Sequence, residues 1–434
     1  MTIITYGGGE VLAKVFESIS MLFYGQNGGL VRSLMILTAS IGGFWILAET
    51  FFSQSPSKLI SRFFFPMIVI VHLLLLPQTK VRIEDVTILH SKDATKRTSI
   101  TVDRVPFLLG KLVTLVSGMG YKITQAIETV MHVPEDISYN KTGHIFGAEN
   151  LLDASCYRIQ NAELENNFRS FVHQCVFYDI ALEKYSVEDM KKTTNLWDFF
   201  TKNTSQVRGI LYSPPKMGGD ARKAQSRFCS CREAIEKMRP FFEQEKNFYA
   251  KSEVFGKLPL SYQALTGLQQ NAEDLISQQL VINTITEDLN GGQASFATSR
   301  AYTKQRETFQ VLGSLTAKSL ITMRNVLEAL IYASFIFIAP AALLPNGLKF
   351  LTSWAGLVIW LQLWPPFFSI LNYIMQIAAQ SKIQAILGPS PGLSFFTSVG
   401  LRDLYSDMHA VAGYLAASIP FISYAILKGG VGSF

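Results

Sequence analysis

Charge-free apolar stretches long enough to cross a bilayer limit the fold of this chain more than any other feature. About 20 helical residues cover the ~30 Å of hydrocarbon in a membrane. Such stretches run over residues 33–48, 63–76, 329–344, 350–380 and 410–427. Arg32 and Glu49 bound the first, and Phe51 and Phe52 extend its apolar character. The second reaches span length over 59–77 if Arg62 snorkels to the interface. Five such stretches exceed what a soluble core uses. Composition agrees: 48% of the 434 residues are hydrophobic and only 17% are charged. So much apolar surface excludes disorder along the whole chain. Its clumping argues against a simple soluble enzyme. The net charge of +6 fits basic membrane loops as well as it fits nucleic-acid binding.

The fourth stretch is too long for one straight crossing, and Pro365 and Pro366 sit near its middle. Proline removes a helical hydrogen bond, and lipid offers the freed backbone groups no partner. Residues 350–380 therefore form one kinked span or a re-entrant hairpin. Basic residues set orientation. Lys58 and Arg62 place the first short link in the cytoplasm. Residues 77–325 then lie in the periplasm and the C-terminus inside. The N-terminus lacks the basic run and apolar core of a cleavable signal. Instead Val11, Leu12, Val15, Phe16, Ile19, Leu22 and Phe23 share a helical face, which lies on the bilayer or packs against span one.

The expected fold is mainly α: a polytopic helical membrane protein of about five spans, with a large, mostly helical periplasmic domain between spans two and three. Its parts are an amphipathic N-terminal helix (1–30), a transmembrane hairpin (31–77), the periplasmic domain (78–325), a bundle of spans three to five (326–428) and a short tail (429–434). Within the large domain, 84–102 reads as strand and turn, 106–130 and 153–183 as helical, and 213–222 as a surface loop rich in Pro and Gly. A helix is marked from Leu265 and ends at Gly291-Gly292. Another runs from about Gln293 through span three, interrupted at most near Gly313, and would be roughly 70 Å long.

Cys156, Cys175, Cys229 and Cys231 all fall in the large domain, as disulfides of an oxidising periplasm would. Pairing Cys229 with Cys231 would close a strained ring, so one crossed and one nested pairing remain. The alternatives are a four-thiolate zinc site, which would want C-x-x-C spacing, and free structural thiols. No nucleotide-binding or hydrolytic signature is found, so neither catalytic residues nor a cofactor nor a metal is expected. His72 within span two reads as an interfacial histidine, and Glu49 and Glu328 as span-end residues that reach water. Gln362, Asn372, Gln376 and Gln380 either line a polar path or bond helix to helix.

Four segments carry a resemblance. Tyr139-Asn140-Lys141-Thr142-Gly143-His144-Ile145-Phe146-Gly147-Ala148-Glu149 resembles the Y-x-K-T-G-x-x-F-G-A segment of the TraG N-terminal family. Val102-Asp103-Arg104-Val105-Pro106 is similar to its V-D-x-V-P step. Trp360-Leu361-Gln362-Leu363-Trp364-Pro365-Pro366, followed by Ile370-Leu371-Asn372, is similar to its membrane segment, and Ala412-Gly413-Tyr414-Leu415 to the start of its last span. The matches are collinear over most of the chain.

The resemblance implies a non-enzymatic, multi-pass inner-membrane subunit of an F-type conjugative type IV secretion apparatus. Its role would be mating-pair formation or stabilisation and assembly of the transfer channel. The implied partners are other channel subunits, the lipid bilayer and further copies of the chain, with transferred DNA or protein touched only indirectly. The family cysteines match Cys175 and Cys231, which implies that these two pair and leaves Cys156 with Cys229 as the second bond. Tyr139, Lys141, Thr142, Gly143, Phe146 and Gly147 are the family-motif residues expected at a partner contact. Trp360, Gln362, Trp364, Pro365, Pro366 and Asn372 are expected at a membrane break needed for assembly. Long family members continue into a large C-terminal periplasmic region linked to mating-pair stabilisation and entry exclusion, whereas this sequence ends at Phe434, so exclusion activity is not carried over. A solute transporter and a membrane-anchored cell-envelope hydrolase are the competing readings.

Overall fold

A computed structural model describes residues 1–25, 29–53, 68, 71, 77–89, 99–134, 137–143, 145, 149–215, 226–291, 297–345, 347–388 and 392–431. The chain is mainly helical and divides into two compact units. The first comprises Met1–Ile145, Leu315–Tyr373 and Gly413–Phe434, and the second Phe146–Ser314 and Ile374–Ala412.

The first unit opens with a short strand, β1 (Thr2–Thr5), and a helix, α1 (Gly9–Tyr24). Next come the apolar helix α2 (Gly29–Ser53), the strands β2 (Gln78–Asp85) and β3 (Ser99–Pro106), and the helix α3 (Phe107–Val130). β2 is central: it pairs parallel with β1, with Ile3 opposite Ile83, and antiparallel with β3. The Asp85 carboxylate joins sheet to helix by accepting the Gly7 and Gly9 amides at 2.9 and 3.0 Å, which satisfies the first orphan donor of α1 and holds the turn before it. Leu12, Ala13, Phe16 and Ile19 are buried in one core with Val81, Val102, Tyr332 and Trp354. The amphipathic face of α1 is thus used in packing, not on a bilayer.

The second unit holds α4 (Glu149–Ser155) and α5 (Ala162–Phe171); α5 continues through a π turn, Val172–Val176, into α6 (Phe177–Ala181). It adds α7 (Val187–Lys192), α8 (Leu196–Asn203), an antiparallel ribbon of β4 (Gly209–Tyr212) and β5 (Arg227–Ser230), α9 (Cys231–Ala250), α10 (Glu253–Thr266) and α11 (Ala272–Gly291). Trp197 stacks on Phe242 with ring centroids 4.0 Å apart and on Phe168 at 5.8 Å. The helix expected from Leu265 begins at Ala272 instead, because Gly267 at φ +74° ends the preceding helix.

Four segments among the described residues are long and apolar enough to span a membrane: Leu30–Phe52, Val311–Ala341, Leu348–Leu387 and Phe395–Gly429. They lie on α2, on the C-terminal part of α12 (Ala297–Ala333) with α13 (Phe335–Ala341), on α14 (Leu348–Gln362) with α15 (Trp364–Leu387), and on α16 (Phe395–Ala416) with α17 (Ile419–Val431). The expected second span, with His72, lies almost wholly outside the described residues, as do the links carrying Lys58 and Arg62 and most of 213–222. α12 runs unbroken through Gly313 for 37 residues, about 55 Å at 1.5 Å per residue, because a turn at Ser334 ends it short of the expected length. The last apolar segment begins at Phe395, not near Ala410, since helix continues back through Arg402 and Asp403.

Candidate functional site

The first unit buries an ion pair that does not reach water. Arg324 and Glu328 lie one turn apart on α12, with Nη1 to Oε2 at 3.6 Å and side chains 1% and 0% exposed. Taking two charges out of water costs several kcal/mol per ion unless further polar groups surround them. Here they do. Glu328 Oε1 accepts the Gln362 amide at 2.8 Å and the Tyr332 hydroxyl at 3.0 Å, and Oε2 accepts the Thr5 hydroxyl at 3.0 Å. Gln362 also turns its Oε1 toward Arg324 Nη2 at 3.4 Å. The Arg324 guanidinium lies over the Tyr6 ring, 5.1 Å from its centroid. β1, α12 and the end of α14 therefore meet at one carboxylate. Expecting Glu328 at a wet span end is incorrect, because the apolar segment begins near Val311 and encloses it.

The cluster extends to the family motif. Tyr6 donates to Asn140 Oδ1 at 3.2 Å, and the Asn140 amide donates to Glu128 Oε1 at 3.0 Å. The Tyr139 ring sits between those of Tyr6 and Phe368, at 5.4 and 5.3 Å. Burial pushes the Tyr139 phenol up to about 12 and Tyr6 higher still, so both are neutral at physiological pH. Burial likewise raises the Glu128 carboxyl, against the lowering effect of the Asn140 amide.

The sequence Ser138-Tyr139-Asn140-Lys141-Thr142-Gly143 makes this placement by local chemistry. Ser138 Oγ caps a single helical turn by accepting the Lys141 amide, and Gly143 ends it at φ +68°. The motif holds Tyr139 and Asn140 buried and leaves Lys141 and Thr142 half-buried. Phe146 and Gly147 lie outside the described residues.

The double proline works differently from a mid-helix kink. α14 stops at Gln362, Leu363 forms the turn, and Pro365 and Pro366 fall in the first turn of α15, where a missing amide leaves no intrahelical bond unmade. The break is covered by protein. A Cβ on Gly120 of α3 would stand 2.9 Å from the Gln362 carbonyl oxygen, so only glycine permits this approach. Trp360 donates to the Pro420 carbonyl at 2.9 Å and meets the buried Trp364 edge to face. The polar residues of this segment bond to other segments: Asn372 donates to the Ile137 carbonyl and Gln380 to that of Ala264.

In the second unit a disulfide joins Cys175 in the π turn to Cys231 at the start of α9, with Cα atoms 6.0 Å apart. The expected Cys156–Cys229 bond is not made, and both thiols are free. Cys156 is exposed just after α4, while Cys229 is buried in β5 and accepts from Lys237 Nζ at 3.2 Å. Cys229 and Cys231 flank Ser230, and Cys231 is the one that reaches Cys175.

Arg324, Glu128 and Tyr6 are the residues that sequence reasoning missed, and Glu328 was read only as a span-end residue. The available signal was the i, i+4 spacing of Arg324 and Glu328 ahead of an apolar run.

A model of the TraG-like protein, N-terminal region, matches residues 2–434. The chain belongs to that family. Protein TraG of Escherichia coli (strain K12) is 26% identical over 356 residues, 76% of this chain. The chain spans about a third of the length of that TraG relative, 36%. No solved structure matches. Within this TraG-like chain, the Tyr139 motif and the Trp360–Pro366 segment, far apart in sequence, meet around one polar cluster.

Proposed function

We propose that this chain is a non-enzymatic, multi-pass inner-membrane subunit of a conjugative type IV secretion apparatus. It acts in mating-pair formation or stabilisation and in assembly of the transfer channel. Its partners are other channel subunits and further copies of itself, and transferred DNA or protein is contacted only indirectly. Residues from 78 to about 310, ahead of the apolar segment that begins at Val311, face the periplasm in this reading. The observation that carries it is the family match from residue 2 to 434 in a chain with four membrane-length apolar segments. The buried cluster supports a scaffold role: Glu328 is fully engaged by hydrogen-bond donors and its arginine, with no oxygen left to act as a base. The Cys175–Cys231 bond suits an oxidising compartment.

The experiment is complementation. A donor strain lacking the corresponding gene should regain transfer with the wild-type chain in its native context. Periplasmic and cytoplasmic reporters at residue 257 and at Gly429 should report opposite compartments. Unchanged transfer after loss of the gene would end this reading.

A further inference from the structure

We infer that α3 is a lipid-facing helix, lying along the bilayer interface by the stripe Leu115, Met119, Ile123, Ala126 and Val130. These positions follow i, i+4, i+8, i+11 and i+15 and so form one line along the helix. The four large side chains are 53, 56, 43 and 75% exposed in that order. The opposite face, with Leu109, Val113, Ser117, Gly120 and Thr124, is buried. No charge interrupts the stripe over about 22 Å.

Two observations name the occupant as lipid. The buried face of α3 rests on α14, part of an apolar segment of membrane-spanning length, through the Gly120–Gln362 approach. That contact brings α3 beside a helix whose own outward residues, Leu357 and Ile359, are exposed and apolar. The second observation is charge. Lys111 and Lys122 are exposed along one flank of the stripe, and the one acidic residue of α3, Glu128, is turned inward and buried. An apolar stripe edged by lysines matches an acyl layer under anionic headgroups. α1 shows the contrast: its apolar face is equally regular but buried in the core.

The test uses the full chain in vesicles of phosphatidylcholine with phosphatidylglycerol. Cys156→Ser and Cys229→Ser remove the free thiols and keep the disulfide. Nitroxide labels are placed singly at Met119→Cys, Ile123→Cys and Gln125→Cys, all exposed positions. Collision with oxygen should exceed collision with a polar nickel reagent several-fold at 119 and 123, and the ratio should reverse at 125. Equal nickel access at all three would overturn the inference, as would coupling between labels on two copies or shielding of 119 from both reagents. In a second arm, Lys111→Gln with Lys122→Gln should reduce the depth of the 119 label in anionic vesicles and leave it unchanged in pure phosphatidylcholine. No depth change in anionic vesicles would remove the headgroup role. Neither arm depends on conjugal transfer, so each result is separable from the proposed function.

Discussion

Gln362 donates its side-chain amide to Glu328 at 2.8 Å, and this bond fastens the end of α14 to the buried charge of α12. Glu328 is the residue on which β1, α12 and α14 converge, through Thr5, Tyr332 and Gln362.

Glu328→Ala should therefore be among the most damaging single changes in the first unit. It leaves the Arg324 guanidinium buried without its counter-ion, a loss of about 3–5 kcal/mol. Replacing both, Arg324→Met with Glu328→Leu, should recover much of that loss, since no lone charge remains. Thermal unfolding of the detergent-solubilised protein measures both variants. A double variant no more stable than Glu328→Ala would contradict the assignment.

Gly120→Ala should push α3 away from the Gln362 carbonyl and cost about 1–3 kcal/mol, as overpacking does. Gly118→Ala is the internal control. A Cβ there meets nothing within 4 Å, and helix propensity favours alanine by about 1 kcal/mol. The two changes, two residues apart, should move the unfolding temperature in opposite directions.

Four of the five expected apolar segments were legible because hydropathy needs no tertiary information, although two begin earlier than expected, at Val311 and Phe395. α3 was legible too, with its glycines, but not its inward and outward faces. α1 shows the limit: its periodicity read correctly and it does pack against α2, the expected first span, while the rest of its partner, a core with β2, β3 and α12, depends on contacts some 80 and 300 residues away. β1 has only four residues and pairs with a strand nearly 80 residues on, so no local pattern announces it. The site was half legible. Gln362 and Tyr139 stood out by motif, but Glu328 read as a span-end residue and Arg324 was not singled out, since hydropathy cannot see that each neutralises the other.

The thiols give a chemical prediction. Non-reducing peptide mapping should recover Cys175 linked to Cys231. Maleimide should label Cys156 in the native protein and Cys229 only after unfolding, given their exposed and buried positions. Cys175→Ala with Cys231→Ala should lower stability by about 2–4 kcal/mol. A recovered Cys156–Cys229 peptide would contradict the free state of both thiols.

Glu128 should make stability fall as pH rises. Its carboxyl is raised above the ordinary value by burial, so the folded state holds the proton more tightly than the unfolded state. The contribution is full below the unfolded value and is lost as pH climbs through the folded one. Glu128→Gln keeps an acceptor for the Asn140 amide and cannot ionise. Its unfolding temperature should be flatter with pH than the wild type across that window, and parallel curves would show that Glu128 does not titrate there.

Pro365 and Pro366 set the boundary on which the cluster depends. In the native chain their nitrogens cannot bond the Leu361 and Gln362 carbonyls four residues back. Pro365→Ala with Pro366→Ala supplies both amides, and helix can then run from α14 through Leu363 into α15. The Gln362 carbonyl would be drawn into that helix, away from Gly120, and the Gln362 side chain would turn from Glu328. The double variant should insert normally, lose stability by an amount comparable to Gly120→Ala, and abolish transfer under the proposed function. Transfer frequency at matched protein level, alongside the unfolding temperature, separates the two effects. A stable double variant that transfers normally would show that the break at Leu363 is dispensable to both fold and assembly.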